Sequence, residues 1–220
     1  MQLTWYGHSC FLVESENGVR VLMDPCDPET GYDVRDVPAD IVTVSHAHHD
    51  HNYIRAAAGE PVVIDTPGVH KEKGLRVSGF RTYHDVQGGR LRGDNLLFLV
   101  EMDGIRLLHL GDLGHEPDPA LVEAIGAVDV LLCPVGGVYT IDAEAARRVA
   151  AALRPQVFVP MHYMTKALTF ALDPVERMLP LAGERVIHRI NDCTCTISAD
   201  ALGEKRILLM RYKRPEGAMD

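Results

Sequence analysis

The sequence predicts a layered α/β protein with sheets inside and helices outside. Three observations lead there. The first hundred residues are a succession of short, β-branched or alternating apolar runs. The second half alternates such runs with segments of helical composition. A chain of 220 residues is also long enough to bury a substantial core within one domain.

The early strands are expected over Gln2–Tyr6, Cys10–Ser15, Val19–Asp24, Ile41–Ser45, Pro61–Asp65 and Asn95–Glu101. Asn17-Gly18 supplies the hairpin turn between the second and third. Asp103-Gly104 does the same between Asn95–Glu101 and a strand over Ile105–Leu110. Pro119–Gly126 reads as a short helix and Val128–Val135 as a buried strand. Asp142–Leu153 reads as a helix, with Asp142 as its cap and Pro155 just past its end. A strand over Gln156–Pro160 follows, then a helix over Asp173–Leu181 with proline in its first turn. Strands over Val186–Ile190, Thr194–Ser198 and Arg206–Tyr212 close the chain. No repeat, low-complexity stretch or linker divides it, so residues 1–213 are read as one domain and residues 214–220 as a frayed tail.

Composition is that of a globular chain, 46% hydrophobic and 24% charged, and no apolar stretch approaches the ~20 residues of a membrane span. Met1-Gln2-Leu3-Thr4-Trp5 starts a strand without a basic leader, so no signal peptide is expected. The five cysteines, Cys10, Cys26, Cys133, Cys193 and Cys195, form no spaced framework, which fits a reducing cytoplasm. Cys193 and Cys195 share a strand face and are read as packing. A net charge of −9 counts against a dedicated nucleic-acid binder, because such a surface repels phosphates. It leaves room for a small anionic substrate drawn to a local cationic cleft. Oligomeric state is not legible, a homo-oligomer remaining open.

The most informative segment is His46-Ala47-His48-His49-Asp50-His51, an H-x-H-x-D-H cluster directly after the Ile41–Ser45 strand. In an extended segment, positions two apart point the same way, so His46 and His48 can grip one ion. If the chain then turns into a helix at Asp50, Asp50 and His51 swing toward a second position. Further candidates follow strands elsewhere: His84 in Thr82-Tyr83-His84-Asp85, Asp112 in Leu110-Gly111-Asp112, and His162 in Pro160-Met161-His162-Tyr163.

In order and spacing this set resembles the metallo-β-lactamase superfamily over nearly the whole chain. The finer resemblance is to its small hydrolase branch, which includes ascorbate-6-phosphate lactonase-like proteins. It is carried by Gly7-His8-Ser9-Cys10-Phe11, Pro134-Val135-Gly136-Gly137 and Pro160-Met161-His162-Tyr163-Met164-Thr165. The resemblance implies a four-layer αβ/βα sandwich of two mixed sheets flanked by helices, with metals at one sheet edge. It places one ion on His46, His48 and His84, a second on Asp50, His51 and His162, and Asp112 between them. Imidazoles and carboxylates suit Zn²⁺, and Mn²⁺ or Fe²⁺ as well. Asp24 matches an early family aspartate that orients a ligand, or is simply a turn residue before Pro25. His8 and His115 match positions near the cleft. His109 is read as packing or as support for a ligand, His49 as pointing elsewhere, and His70 and His188 as surface residues.

The implied reaction is hydrolysis: a metal-bridging hydroxide attacks a carbonyl or phosphorus, and Asp50 accepts or shuttles the proton. Gly137 and its neighbours are candidates to bring backbone N–H groups near an oxyanion. Tyr163, Thr165 and Lys166 are candidates for a carboxylate or phosphate, although Lys166 reads more readily as a solvated surface lysine. Lactone or ester opening is placed ahead of phosphodiester cleavage. The alternatives are a ribonuclease-like phosphodiesterase on nucleic acid, an iron-dependent redox protein of the same fold, and a non-catalytic metal-binding scaffold. The acidic charge opposes the first, and the full set of seven ligands opposes the other two.

Overall fold

Two sheets face each other across a shared apolar core, and the alternation of side chains along each strand explains why both faces of the first sheet are covered. The computed structural model describes residues 1–215, so the expected tail lies, from 216 onward, outside the described residues. In chain order the strands begin with β1 (Gln2–Gly7), β2 (Cys10–Glu14), β3 (Arg20–Met23), β4 (Val37–Pro38), β5 (Ile41–Thr43) and β6 (Ala57–Ala58). They continue with β7 (Val62–Ile64), β8 (Gly68–Glu72), β9 (Leu75–Tyr83), β10 (Asp94–Met102) and β11 (Ile105–His109). Helix α1 (Pro119–Ile125), β12 (Val130–Pro134), α2 (Ala143–Leu153) and β13 (Val157–Met161) follow, then β14 (Val186–Arg189), β15 (Thr194–Thr196) and β16 (Arg206–Leu209).

The first sheet runs β15-β1-β2-β3-β5-β7 and the second β14-β16-β13-β12-β11-β10-β9-β8, with β4 and β6 forming a small separate pair. The second sheet is antiparallel from β8 to β11 and parallel from β11 through β12, β13 and β16 to β14. Period 2 divides the apolar residues of the first sheet between two cores. Leu3, Trp5, Phe11, Val13, Val21, Met23 and Ile41 face the second sheet. Tyr6, Cys10, Leu22 and Val42 face outward into a smaller cluster closed by Cys26, Tyr32, Val34, Leu168 and Leu172. Each fully buried Leu, Val or Met of this kind contributes about 1.5–3 kcal/mol.

Both expected hairpin turns form. Gly18 and the Asp103-Gly104 pair take up positive φ (83°, 51° and 73°), as two-residue turns between right-twisted strands require. Helix α2 starts where Asp142 accepts from Ala145 N (2.8 Å) and buries Ala146, Val149, Ala150 and Leu153. It ends at Arg154, whose φ is 50°, just before Pro155.

The structure departs from the sequence reading in three places. The segment 173–181 is not an α-helix but two 3-10 turns, Val175–Arg177 and Leu179–Leu181, because Pro180 lacks an N–H and blocks a continuous ladder. No helix begins at Asp50 either. A single turn closes with His51 N on His48 O (3.0 Å), and Tyr53 N then donates to Pro25 O (2.8 Å), pulling the chain away. Strands β4, β6, β8 and β9 are additional to those expected, and β9 pairs with β10 from Arg76 to Tyr83. The two mixed sheets packed face to face match the expected layered α/β class, and irregular segments and 3-10 turns cover the outer face of the first. All five cysteines are free thiols. No helix among the described residues is long and apolar enough to cross a membrane.

Candidate metal centre

The site sits at the edge where both sheets end. The segment after β5 delivers His46, His48, Asp50 and His51 from the first sheet. The ends of β9, β11 and β13 deliver His84, Asp112 and His162 from the second. Strand ends hold such side chains rigidly because the ladder fixes the backbone behind them. The two sides are tied together at this edge, where Leu96 N of β10 donates to Ser45 O (2.9 Å).

Asp112 is the hub. Its Oδ1 lies 3.1 Å from His51 Nε2, and its Oδ2 lies 3.2 Å from His84 Nε2, 3.3 Å from His162 Nε2 and 4.0 Å from His46 Nε2. Ligand-capable atoms gather within 4.8 Å of one another in three sets: His46, His48 and His84; His46, His51 and Asp112; and His8, Asp50, His51 and His162. All seven residues expected as ligands therefore converge, and His8 joins them.

Hydrogen bonds fix which nitrogen His46 and His51 present. Ser45 Oγ donates its one hydrogen to Asp24 (2.5 Å), so at 2.9 Å it accepts from His46 Nδ1–H, which leaves His46 Nε2 a bare lone pair. Burial pushes the His46 pKa down to about 3, which keeps the ring neutral. His51 Nδ1–H donates to Asp24 at 2.7 Å, which turns Nε2 toward Asp112. His46 Nε2, His51 Nε2 and Asp112 Oδ1 are all buried without a hydrogen-bond partner. Electron-pair acceptors in a dry pocket demand a positive charge between them. Burial works against charge on His51, yet Asp112 and Asp24 hold its pKa well above the ordinary value. A proton fills that need in the absence of a cation. Neutral imidazoles and carboxylates in this arrangement fit divalent cations of the zinc class.

Behind the candidate ligands lies a supporting layer. Asp24 is fully buried and accepts from Ser45 N as well (2.8 Å). Burial raises its pKa, but His109 and His51 outweigh this and keep it ionised. His109 is fully committed, with Nε2–H on Ser9 O (2.8 Å) and Nδ1 accepting from Gly111 N (3.0 Å), so it supports the backbone beside Asp112. Asn95 Oδ1 accepts from Asp112 N (2.9 Å) while its amide donates to Leu110 O and Thr82 Oγ1. Gly111 has φ +52°, and a Cβ there would lie 2.4 Å from Asn95 Oδ1 and 2.6 Å from Ser45 Cβ. His8 Nε2 donates to Asp50 Oδ2 (3.1 Å), and burial lowers its pKa to about 4.

The cleft above the hub has a volume of about 330 Å³. Beyond the ligands it is lined by His49, Arg92, Tyr139 and Phe170. Arg92 lies over the Tyr139 ring (5.6 Å to its centre), and Phe170 meets that ring edge-on. Asp85 fixes the loop that carries Arg92. Its buried carboxylate collects the N–H groups of Gln87 (2.7 Å), Gly89 (3.1 Å), Leu91 and Arg92 (both 2.9 Å).

Several residues that the sequence suggested for the site stand apart from this cleft. His115 accepts from Tyr83 N (3.3 Å) and does not line it. Gly137 N–H is engaged by Ile141 O (3.3 Å), and the loop's contribution to the cleft is the Tyr139 side chain. Tyr163 packs against Trp5, with ring centres 5.3 Å apart and planes tilted by 42°, and with Lys166 lines a different cavity. His49, expected to point elsewhere, lines the mouth. Asn95, Asp85, Arg92, Tyr139 and Phe170 have no local signal in the sequence, because their roles arise from loops that meet only after folding.

A family model described as a beta-lactamase superfamily domain matches residues 2–162. A UPF0173 metal-dependent hydrolase of Thermoplasma acidophilum is 29% identical over 209 residues, covering 83% of this chain and 91% of the relative. A UPF0173 protein of Pyrococcus furiosus is 32% identical over 215 residues, covering 87% and 96%. A crystal structure from Thermotoga maritima, described as a candidate zinc-dependent hydrolase of the metallo-β-lactamase superfamily, superposes with a TM-score of 0.80 at 39% identity. That match covers 96% of this chain and 99% of the other.

Proposed function

This chain belongs to the beta-lactamase superfamily, and on that basis we propose that it is a metal-dependent hydrolase. In this reading it holds two divalent cations, zinc by preference, and opens an ester, lactone or phosphodiester bond in a small anionic substrate. The observation that carries the reading is Asp112, whose two oxygens face rings from both ligand groups at 3.1–3.3 Å. A shared carboxylate is what two neighbouring cations need to offset their repulsion.

His46, His48 and His84 would hold one cation; Asp50, His51 and His162 would hold the other, with Asp112 between. When bound, such cations supply Lewis acidity and lower the pKa of coordinated water toward ~7. The protein's residues do the rest. Asp24 and Ser45 set the tautomers of His51 and His46, so that lone pairs face the centre. Asp50 keeps 15% of its side chain accessible and is ionised; burial raises its pKa, and the His8 hydrogen bond and His51 lower it further than that. It is therefore the carboxylate placed to take a proton from attacking water and return it to the leaving group. Arg92 presents a cation to the substrate's anionic end, and Tyr139 with Phe170 covers its apolar part while excluding solvent. A cavity of about 330 Å³ suits a metabolite-sized ligand.

Metal-loaded protein assayed against lactone, ester, thioester and phosphodiester panels tests the reading, alongside metal quantification. Asp112→Asn is expected to lose both metal and turnover. Two bound metals with no turnover on any panel would overturn it.

A further inference from the structure

A second cavity, larger than the metal cleft at about 800 Å³, opens on the same sheet edge. No lining residue is common to the two cavities. Its position follows from topology. β13, β16 and β14 are adjacent and parallel, and the cavity is built from the segments at and just past their carboxyl ends: Tyr163–Lys166, Arg189–Asn191 and Leu209–Tyr212. β14 and β16 are joined through β15 in the other sheet, and β16 is inserted between β13 and β14. Crevices outside the carboxyl ends of parallel strands, where strand order departs from chain order, are where α/β sheets bind ligands.

The chemistry of the walls is specific. The floor is apolar and aromatic, with Trp5, Tyr163, Val175 and Met210. The rim carries Lys166, Arg189, Arg211 and Arg214 against a single carboxylate, Glu176. Among the described residues, no ion pair or side-chain hydrogen bond engages Lys166, Arg189 or Arg211. Unpaired cations around a concave apolar floor are unusual in a chain of net charge −9. A symmetric contact with a second copy would press these like charges together, whereas a small anionic ligand would offset them.

We propose that this cavity binds an organic phosphate of about nucleotide size, with the phosphate on Arg189, Arg211 and Lys166 and the apolar body on the Trp5–Tyr163 floor. The site is independent of the hydrolytic reading. It carries its own reporter, because Trp5 is the only tryptophan in the chain. Trp5 also joins the floor to the metal centre, its indole N–H donating to His8 O (3.1 Å).

The test is titration of the full-length, metal-loaded protein with AMP and with 1-naphthyl phosphate, read by calorimetry and by tryptophan emission. Adenosine and inorganic phosphate serve as the separate halves. The expected result is saturable binding of at least one organic phosphate with a change in emission, and about tenfold or weaker binding of each half. The exposed double variant Arg189→Glu/Arg211→Glu should weaken it at least tenfold while leaving metal content unchanged. Arg92→Ala, at the metal cleft, should leave it intact. No binding of either organic phosphate, or binding lost in Arg92→Ala and retained in the double variant, overturns the proposal. An AMP-dependent dimer in sedimentation, lost in the double variant, would overturn it in favour of an interface between copies.

Discussion

Asp24 touches no candidate cation, yet replacing it by Asn should strip the centre of affinity. The carboxylate accepts three hydrogen bonds, from Ser45 N (2.8 Å), Ser45 Oγ (2.5 Å) and His51 Nδ1 (2.7 Å). Asn can keep the first through its oxygen, but its NH₂ then confronts Ser45 Oγ–H or His51 Nδ1–H as donor against donor. His51 relieves the clash by moving its proton to Nε2, the atom 3.1 Å from Asp112, and so stops being a ligand. Loss of an orienting partner of this kind typically costs 10–100-fold in metal affinity, about 1.4–2.7 kcal/mol. Breaking the buried Asp24–His51 pair should also cost the metal-free protein about 3–5 kcal/mol, a fall in Tm on the order of 10 °C. Chelator-competition titration with zinc, paired with thermal unfolding of the metal-free variant, measures both. A folded Asp24→Asn protein that binds zinc within about twofold of the parent would refute the tautomer assignment.

Other perturbations test the surrounding parts. Burial pushes His8 to about 4 and His46 to about 3 from an ordinary 6.5, so below pH 6.5 the unfolded chain gains protons before the folded one. The Tm of metal-free protein should therefore fall as pH drops from 6.5 toward 4. His51, held above its ordinary value, contributes stability that is complete below 6.5 and does not reverse the trend; a flat profile contradicts it. Gly111→Ala forces a Cβ to within 2.4 Å of Asn95 Oδ1 and should lower both Tm and metal content; unchanged zinc stoichiometry would count against this placement of Asp112. Arg92→Ala should raise KM about tenfold for an anionic ester and leave a neutral analogue's KM unaltered, an effect worth about 1.4 kcal/mol. Equal effects on both esters would remove Arg92 from substrate recognition.

Six of the seven candidate ligands are legible in the sequence because the apolar strand ahead of them advertises itself locally: Ile41–Thr43 before the His46–His51 cluster, Ile105–His109 before Asp112 and Val157–Met161 before His162, whereas His84 follows the less legible β9. β9 is hidden because Gly79 interrupts it where a Cβ would come within 2.7 Å of Thr66 O, a close approach invisible before folding. The segment 173–181 looks helical by composition, and Pro180 decides otherwise. Tyr163 and Lys166 come soon after His162 in sequence, but the chain leaves the cleft there and they face the second cavity. The walls of the metal cleft come from residues 92, 139 and 170, whose proximity depends on three separate loops.

The loop from Asp85 to Gly93 is held by main-chain amides gathered onto one internal acid, with Arg92 adding side-chain contacts to Val138 O and the Tyr139 ring. Val86 and Leu91 are accordingly 80% and 63% exposed. Such a scaffold separates shape from identity. Outside Gly88, Gly89 and Gly93, whose positive φ the turn requires, residues along it can be exchanged with the path kept, so the surface beside the candidate centre can change its chemistry without refolding.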